Sequence, residues 1–288
     1  IRMDKRIRNN PRKAIGGDDL GIGIRQFEFL KSQGLSKSDK LLDLGCGTLR
    51  AGEYFIKFLD VGNYYGVDIS PEAIKYSSEL VRKNGLEGKE AVLKVNNDFL
   101  FDRLKDVNID FVIANSVFTH LPPTELREFF ENIDKVLADD GEIFLTFWKN
   151  RDVDSWSVEN LSSFKYSANL LNDIAFEKGF MIEELSSEFS HPRGQSMFKF
   201  TKPDSNSEAA CFGCGRKTFV ESKYFDKKWE AGVSHSEDRV QRNAVYCGDC
   251  QEHRFYGQSL AERILVFLDA TIGRVDRKIQ RKVGGFFA

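Results

Sequence analysis

The chain has 288 residues, with 42 lysines and arginines against 44 aspartates and glutamates and a formal net charge of −2. Its total charge therefore demands neither a nucleic-acid backbone nor an anionic membrane as partner. The length suits a full α/β domain with a small appendage, and no apolar run approaches the roughly 20 residues that span a bilayer.

No signal-peptide pattern opens the sequence. Five cysteines, four of them in two CxxC pairs, point to a reducing compartment and a metal instead of disulfides, so a cytoplasmic location is expected. The sequence starts at Ile1 and not at Met, which fits trimming or a longer product. Residues 1–17 read as a basic arm in which Pro11 breaks any early helix. The arm is either solvated or a flap that contacts an anion. From Asp18 the apolar positions Leu20, Ile24, Phe27 and Leu30 recur at helical spacing, and Gly34 sits where a C-cap belongs.

Lys40 to Ser70 reads as strand, glycine turn, helix, strand. Leu41, Leu42 and Leu44 form the short apolar run of a strand buried on both faces. Gly45 and Gly47 let the backbone turn sharply and approach a ligand, and the following helix points its free N–H groups back at that ligand. A dinucleotide fingerprint would place a third glycine where Arg50 stands. Asp43 would repel a diphosphate and suits a ligand bearing an ammonium group. Asp68 closes the second strand where nucleotide-binding α/β folds keep a carboxylate for ribose hydroxyls. The strings Leu-Asp-Leu-Gly-Cys-Gly-Thr and Tyr-Gly-Val-Asp-Ile-Ser resemble motifs I and II of the class I S-adenosylmethionine-dependent methyltransferases.

That resemblance covers roughly residues 18–202 and implies a doubly wound, seven-stranded, mostly parallel sheet. It implies cofactor contacts from Asp43, Gly45, Cys46, Gly47, Arg50, Asp68 and Ile69, with Gly21, Gly23 and Gln26 of the preceding helix as candidates for close approach. Ser70 and Pro71 open a helix as N-cap and first-turn proline, with Ile74, Leu80 and Val81 as its buried stripe and Asn84-Gly85 as its end. Ala91 to Val95 is the third strand. Asp98 and Phe99 match the position where the family's acidic residue takes the adenine amino group and its neighbour packs on the ring. Ile109 to Ala114 is the fourth strand, and its outlet, Asn115-Ser-Val-Phe-Thr-His120-Leu, is similar to motif IV, so Asn115 is expected beside the cofactor. His120 is either a structural hydrogen-bonding residue or a general base.

Thr124 to Leu137 is expected as a helix, Ala138 to Gly141 as a turn and Glu142 to Trp148 as the fifth strand. Lys149 to Ser163 reads as a long polar loop or lid with aromatic surface nearby at Trp156, Phe164 and Tyr166. A helix over 170–179 precedes two further strands, Met181 to Leu185 and Gln195 to Thr201. If the first is parallel and the second antiparallel, their connection brings His191 and Arg193 to the active edge as grips on an anionic or sugar group. Asn115-Ser116 is not the (Asn/Asp)-Pro-Pro-(Tyr/Phe) string of base-methylating enzymes. The Gly-Cys-Gly-Thr-Leu-Arg variant and the His-Pro-Arg-Gly turn are similar to bacterial enzymes of glycan or small-metabolite modification, and that resemblance implies a small-molecule or glycan acceptor methylated at oxygen. RNA or protein acceptors and a catalytically silent adenosylmethionine-binding scaffold are the alternatives.

Residues 203–210 read as a linker. Cys211, Cys214, Cys247 and Cys250 have the paired spacing of a tetrahedral Zn²⁺ site, giving a zinc module over 211–256. His235 and His253 are spare ligands to a shell already complete. Residues 257–288 show an amphipathic helical pattern, apolar at Leu260, Ile264, Phe267, Leu268, Ile272, Val275 and Ile279 and basic at Arg274, Arg277, Lys278 and Arg281. It suits packing on the module, self-association or a membrane surface.

Overall fold

The computed structural model describes residues 2–9, 21–150, 156–160 and 163–202, and the backbone of four short strands further on. The central sheet forms because five segments alternate between two apolar faces. Strands β1 (Leu41–Leu44), β2 (Tyr64–Asp68), β3 (Val92–Val95), β4 (Ile109–Ala114) and β5 (Leu137–Lys149) run parallel in the order β3-β2-β1-β4-β5. Beyond β5, β9 (Ser196–Thr201) pairs antiparallel with it, and β8 (Met181–Glu184) pairs antiparallel with β9. The sixth strand of the expected topology is thus parallel to β5 and the seventh antiparallel.

Residues of one parity face one core and those of the other parity face a second. Leu42, Leu44, Val112, Ala114, Ile143 and Leu145 pack with Leu126, Phe129, Phe130 and Ile133 of α5 (Pro123–Ile133) and with Leu171 and Ile174 of α6 (Ala168–Glu177). Leu41, Phe111, Ile113 and Phe144 pack with Phe29 and Leu30 of α2 (Ile22–Ser32), Phe55 and Ile56 of α3 (Gly52–Phe58) and Val81 of α4 (Pro71–Lys83). Full burial of each such side chain contributes about 1.5–3 kcal/mol, so the two-sided sheet is the main apolar asset of the fold. Helices α3 and α4 connect β1, β2 and β3 on one face, and α5 connects β4 to β5 on the other. The connections diverge between β1 and β4, and the crevice at their carboxyl ends is where open α/β sheets bind ligands.

Four local expectations change. Residues 2–9 are helical (α1, Arg2–Asn9), not an irregular arm: Ile7 is buried against Ala73 of α4, and Arg8 lies 3.9 Å from Glu72. Helix α5 ends at Ile133 and β5 already begins at Leu137, because a register shift in its pairing with β4 absorbs residues 138–141 within the strand. The stretch read as a polar loop carries a hairpin, β6 (Trp156–Asn160) and β7 (Ser163–Tyr166), and β7 joins the end of β5, so the sheet has nine strands instead of seven. The period-two pattern Trp156, Val158 and Phe164, Tyr166 was present in the sequence but masked by its polar flanks. In α4 the most buried positions are Ala73, Ser77 and Val81, with Ile74 and Leu80 packed at the margin.

Candidate functional site

The glycine turn after β1 is built by its contacts with β2 and β4. Gly45 and Cys46 both donate backbone N–H bonds to the Val67 carbonyl, at 2.8 and 3.0 Å. Gly45 has φ +74°, and a Cβ there would stand 2.5 Å from Val117 Cγ2. Only glycine lets the turns after β1 and β4 close to this distance. Gly23 of α2 makes a second close approach: a Cβ would meet the Arg50 carbonyl oxygen at 2.2 Å, so α2 lies directly on the turn.

Asp68, at the end of β2, accepts from Gly47 N–H at 2.9 Å on one carboxylate oxygen and from Ser70 N–H at 2.8 Å on the other. These bonds use about half of the acceptor capacity of a carboxylate and fix its plane. Ile69 beside it is 71% exposed, an apolar side chain held open next to an oriented carboxylate. Cys46 behaves differently from its neighbours. Its side chain is buried in the core on the α3 face, and burial, reinforced by Asp43 and Asp68, pushes the thiol pKa well up. Its part in the turn is its backbone.

Asp43 is buried and accepts a 2.7 Å hydrogen bond from the Tyr64 hydroxyl. Burial raises its pKa from 3.8 to about 6, against the lowering effect of Tyr64; the charge of Asp68 adds to the rise and that of Arg50 opposes it. The folded chain therefore binds this proton more tightly than the unfolded chain, and stability falls as pH rises from about 4 to about 6. The penalty at pH 7 corresponds to about 3 kcal/mol. His191 has the opposite slope, because burial first, then the charges of Arg193 and Arg50, lower its pKa from 6.5 to about 4. Its contribution is present above pH 6.5 and lost as pH falls towards 4. Replacing Asp43 by Asn, which keeps an acceptor for Tyr64, is expected to raise unfolding stability at pH 7 by up to about 3 kcal/mol. It should also leave a net rise in stability between pH 4 and 6.5, and denaturant titrations at stepped pH check both.

The outlet of β4 carries a polar network absent from the sequence reading. Ser116, at φ +62°, donates its N–H to Thr146 Oγ1 at 2.7 Å. The Thr146 and Ser116 hydroxyls both donate to Gln195 Oε1, at 2.7 and 3.0 Å. Thr146 is the one polar residue in the buried stretch from Ile143 to Phe147, the signal that could have found it. Asn115 Oδ1 and Thr48 Oγ1 are buried without a hydrogen-bond partner. Such atoms are uncommon in native proteins and are what a bound polar ligand would satisfy.

His120 ends the 3-10 turn Phe118–His120 after β4 and is exposed. The Tyr166 hydroxyl of the added hairpin bonds the Leu121 carbonyl beside it. Asp98 Oδ1 accepts from Leu100 N–H at 3.2 Å, and the half-buried ring of Phe99 packs with Phe101, Phe118 and Phe129. His191 is buried and takes a 3.2 Å hydrogen bond on Nδ1 from Arg193 N–H. The strand ends thus gather Asp43, Gly45, Gly47, Arg50, Asp68, Ile69, Asn115 and His120 around the crevice between β1 and β4, with Asp98 and Phe99 beyond β3. Cys211, Cys214 and Cys250 lie outside the described residues, as do His235, His253 and residues 257–288; Cys247 is described only as backbone, at the end of β13 (Val245–Cys247).

Residues 42–143, the span from the middle of β1 to the middle of β5, match the family model of a methyltransferase domain. Over these residues the chain is similar to methyltransferase domains. A sterol 24-C-methyltransferase of Aspergillus fumigatus is 27% identical to it over 129 residues, which are 44% of this chain and 33% of that protein. The chain thus matches only about a third of this curated relative's length. Among solved structures, a SAM-dependent methyltransferase from Aquifex aeolicus shares the fold with TM-score 0.50 and 20% identity, over 68% of this chain and 96% of that one. The glycopeptide N-methyltransferase MtfA, complexed with S-adenosylmethionine, shares it with TM-score 0.52 and 10% identity, over 63% and 94%. The nine-stranded sheet keeps the parallel order described above and adds the β6–β7 hairpin beside the outlet of β4. Among the described residues no helix is long and apolar enough to cross a membrane.

Proposed function

We propose that this domain moves the methyl group of S-adenosylmethionine to a hydroxyl of a small-molecule or glycan acceptor. The observation that carries the reading is the oriented Asp68 carboxylate beside the exposed Ile69, at the mouth of a glycine turn backed by Asp43. A ribose diol fits the first, an adenine ring the second, and an ammonium group the third. Asn115 Oδ1 and Thr48 Oγ1, buried without partners, supply acceptors for the polar end of the same ligand. The cofactor brings a sulfonium leaving group. The chain's own share is alignment, worth up to about 7–11 kcal/mol in favourable cases, and removal of the acceptor proton, for which His120 is the candidate. Of the relatives, one is named for methylation at carbon and one for methylation at nitrogen; oxygen is favoured here because a histidine stands at the β4 outlet. Isothermal titration should show binding of S-adenosylhomocysteine and none of NAD, and methyl transfer from labelled S-adenosylmethionine should require an acceptor bearing a hydroxyl.

Cys211, Cys214, Cys247 and Cys250 are assigned to one structural Zn²⁺. Supporting this, the strand β10 (Glu208–Ala210) runs directly into Cys211, β13 ends at Cys247, and the two strands lie beside each other. Four thiolates in two pairs complete a tetrahedral shell. Elemental analysis should give about one zinc per chain, lost on Cys211→Ser together with Cys250→Ser. S-adenosylhomocysteine affinity should persist, since the methyltransferase domain has its own core.

A further inference from the structure

The connection between β8 and β9 carries chemistry that methyl transfer itself does not use. His191 is 6% exposed, and its Nδ1 accepts from Arg193 N–H, so the proton of the neutral ring sits on Nε2. That Nε2 is buried with no hydrogen-bond partner. Leaving a donor in this state costs about 1–3 kcal/mol, and a native chain retains such a group where something else satisfies it. Two guanidinium groups, Arg193 and Arg50, act on the imidazole, and Arg50 also acts on the Asp43 carboxylate. Helix α2 braces both sides of the arrangement. Gly23 lies on the Arg50 carbonyl, the Phe29 ring is 5.0 Å from that of Phe189, and Gln33 bonds Glu188 at 2.9 Å. Gly194, at φ +75°, folds the turn back through its N–H to the His191 carbonyl, and Gln195 then joins the Ser116–Thr146 network.

We propose that Arg50, His191 and Arg193 form a subsite for an oxyanion, a carboxylate or a phosphate, carried by the methyl acceptor. It rests on the methyltransferase reading above. Two fixed cations and one neutral N–H donor match the oxygens of such a group, and arginine recognises both anions in fork geometry. The position favours the acceptor over the cofactor: ribose and adenine belong to the ends of β1, β2 and β3, whereas this turn leads into β9 on the far side of β5. Pro192, Arg193 and Gly194 are exposed, so the turn that holds the imidazole lies at the solvent boundary.

The test uses the full chain labelled with [15N]histidine and saturated with S-adenosylhomocysteine, titrated with inorganic phosphate and in parallel with succinate. One imidazole signal, absent from His191→Gln, should move saturably, and chloride at equal ionic strength should not move it. Arg193→Ala, which leaves the backbone bond to Nδ1 in place, should weaken the response about ten- to hundredfold, the loss of one charged hydrogen bond. A signal unmoved by either anion overturns the proposal. So does a response seen only when 5′-methylthioadenosine replaces S-adenosylhomocysteine, because the subsite would then serve the cofactor's own carboxylate. Absence of S-adenosylhomocysteine binding would instead overturn the parent reading, and this one with it.

Discussion

Asp68→Ala is expected to weaken S-adenosylhomocysteine binding by about 10²–10⁴-fold. The figure follows from two hydroxyl bonds to a charged acceptor at about 1.5–3 kcal/mol each. The carboxylate is suited to this because its two oxygens are already pinned by Gly47 N–H and Ser70 N–H, so little orienting entropy remains to be lost on binding. Asp68 is half-buried, so water can take over both backbone donors in the variant and the fold should survive; thermal unfolding without ligand checks this. Asp68→Asn keeps one acceptor oxygen and should fall between wild type and alanine. Titration calorimetry of the three chains gives the order directly. Equal affinities would remove Asp68 from the ribose position, and binding of NAD as tight as that of S-adenosylhomocysteine would overturn the choice of cofactor.

What the sequence disclosed was mostly local. The apolar runs at Leu41, Val112 and Ile143 announced buried parallel strands, and Gly45 and Gly47 announced the turn, because each depends on a few adjacent residues. The doubly wound, mostly parallel sheet and its antiparallel last strand followed once the turn was matched to a family pattern. Interactions between distant residues stayed hidden. Nothing in Tyr64 alone marks it as the donor that steadies Asp43. Gln195 looked like the first residue of a strand and not a hub for Ser116 and Thr146, 79 and 49 positions away. The hairpin over 156–166 was missed because β6 and β7 are short and end in polar residues, so their alternation competes with a loop reading. The basic residues of α1 drew attention away from Ile7, whose burial against Ala73 docks the helix.

His120→Ala is expected to lower kcat by about 10²–10⁴-fold, the usual cost of losing a positioned general base, while S-adenosylhomocysteine affinity stays unchanged. His120 stands at the end of the 3-10 turn that leaves β4, next to the strand whose neighbour carries the glycine turn. Its exposure leaves the imidazole accessible to an acceptor hydroxyl. His191 is a poor base. Its pKa is held at about 4 by burial and by Arg193 and Arg50, and its Nδ1 is occupied by the Arg193 N–H. A working base must be deprotonated before it takes the acceptor's proton, so wild-type activity should decline as pH falls, and this acidic limb should vanish in His120→Ala. The His191→Gln chain should keep the limb. The pH profiles separate a base from a merely structural histidine, because a loss of packing would lower activity at every pH without changing the shape. Near wild-type turnover by His120→Ala would mean that the nucleophile needs no base, as a carboxylate or phosphate oxygen does not. The acceptor oxygen would then be an oxyanion itself, and His120 would serve the turn after β4 alone.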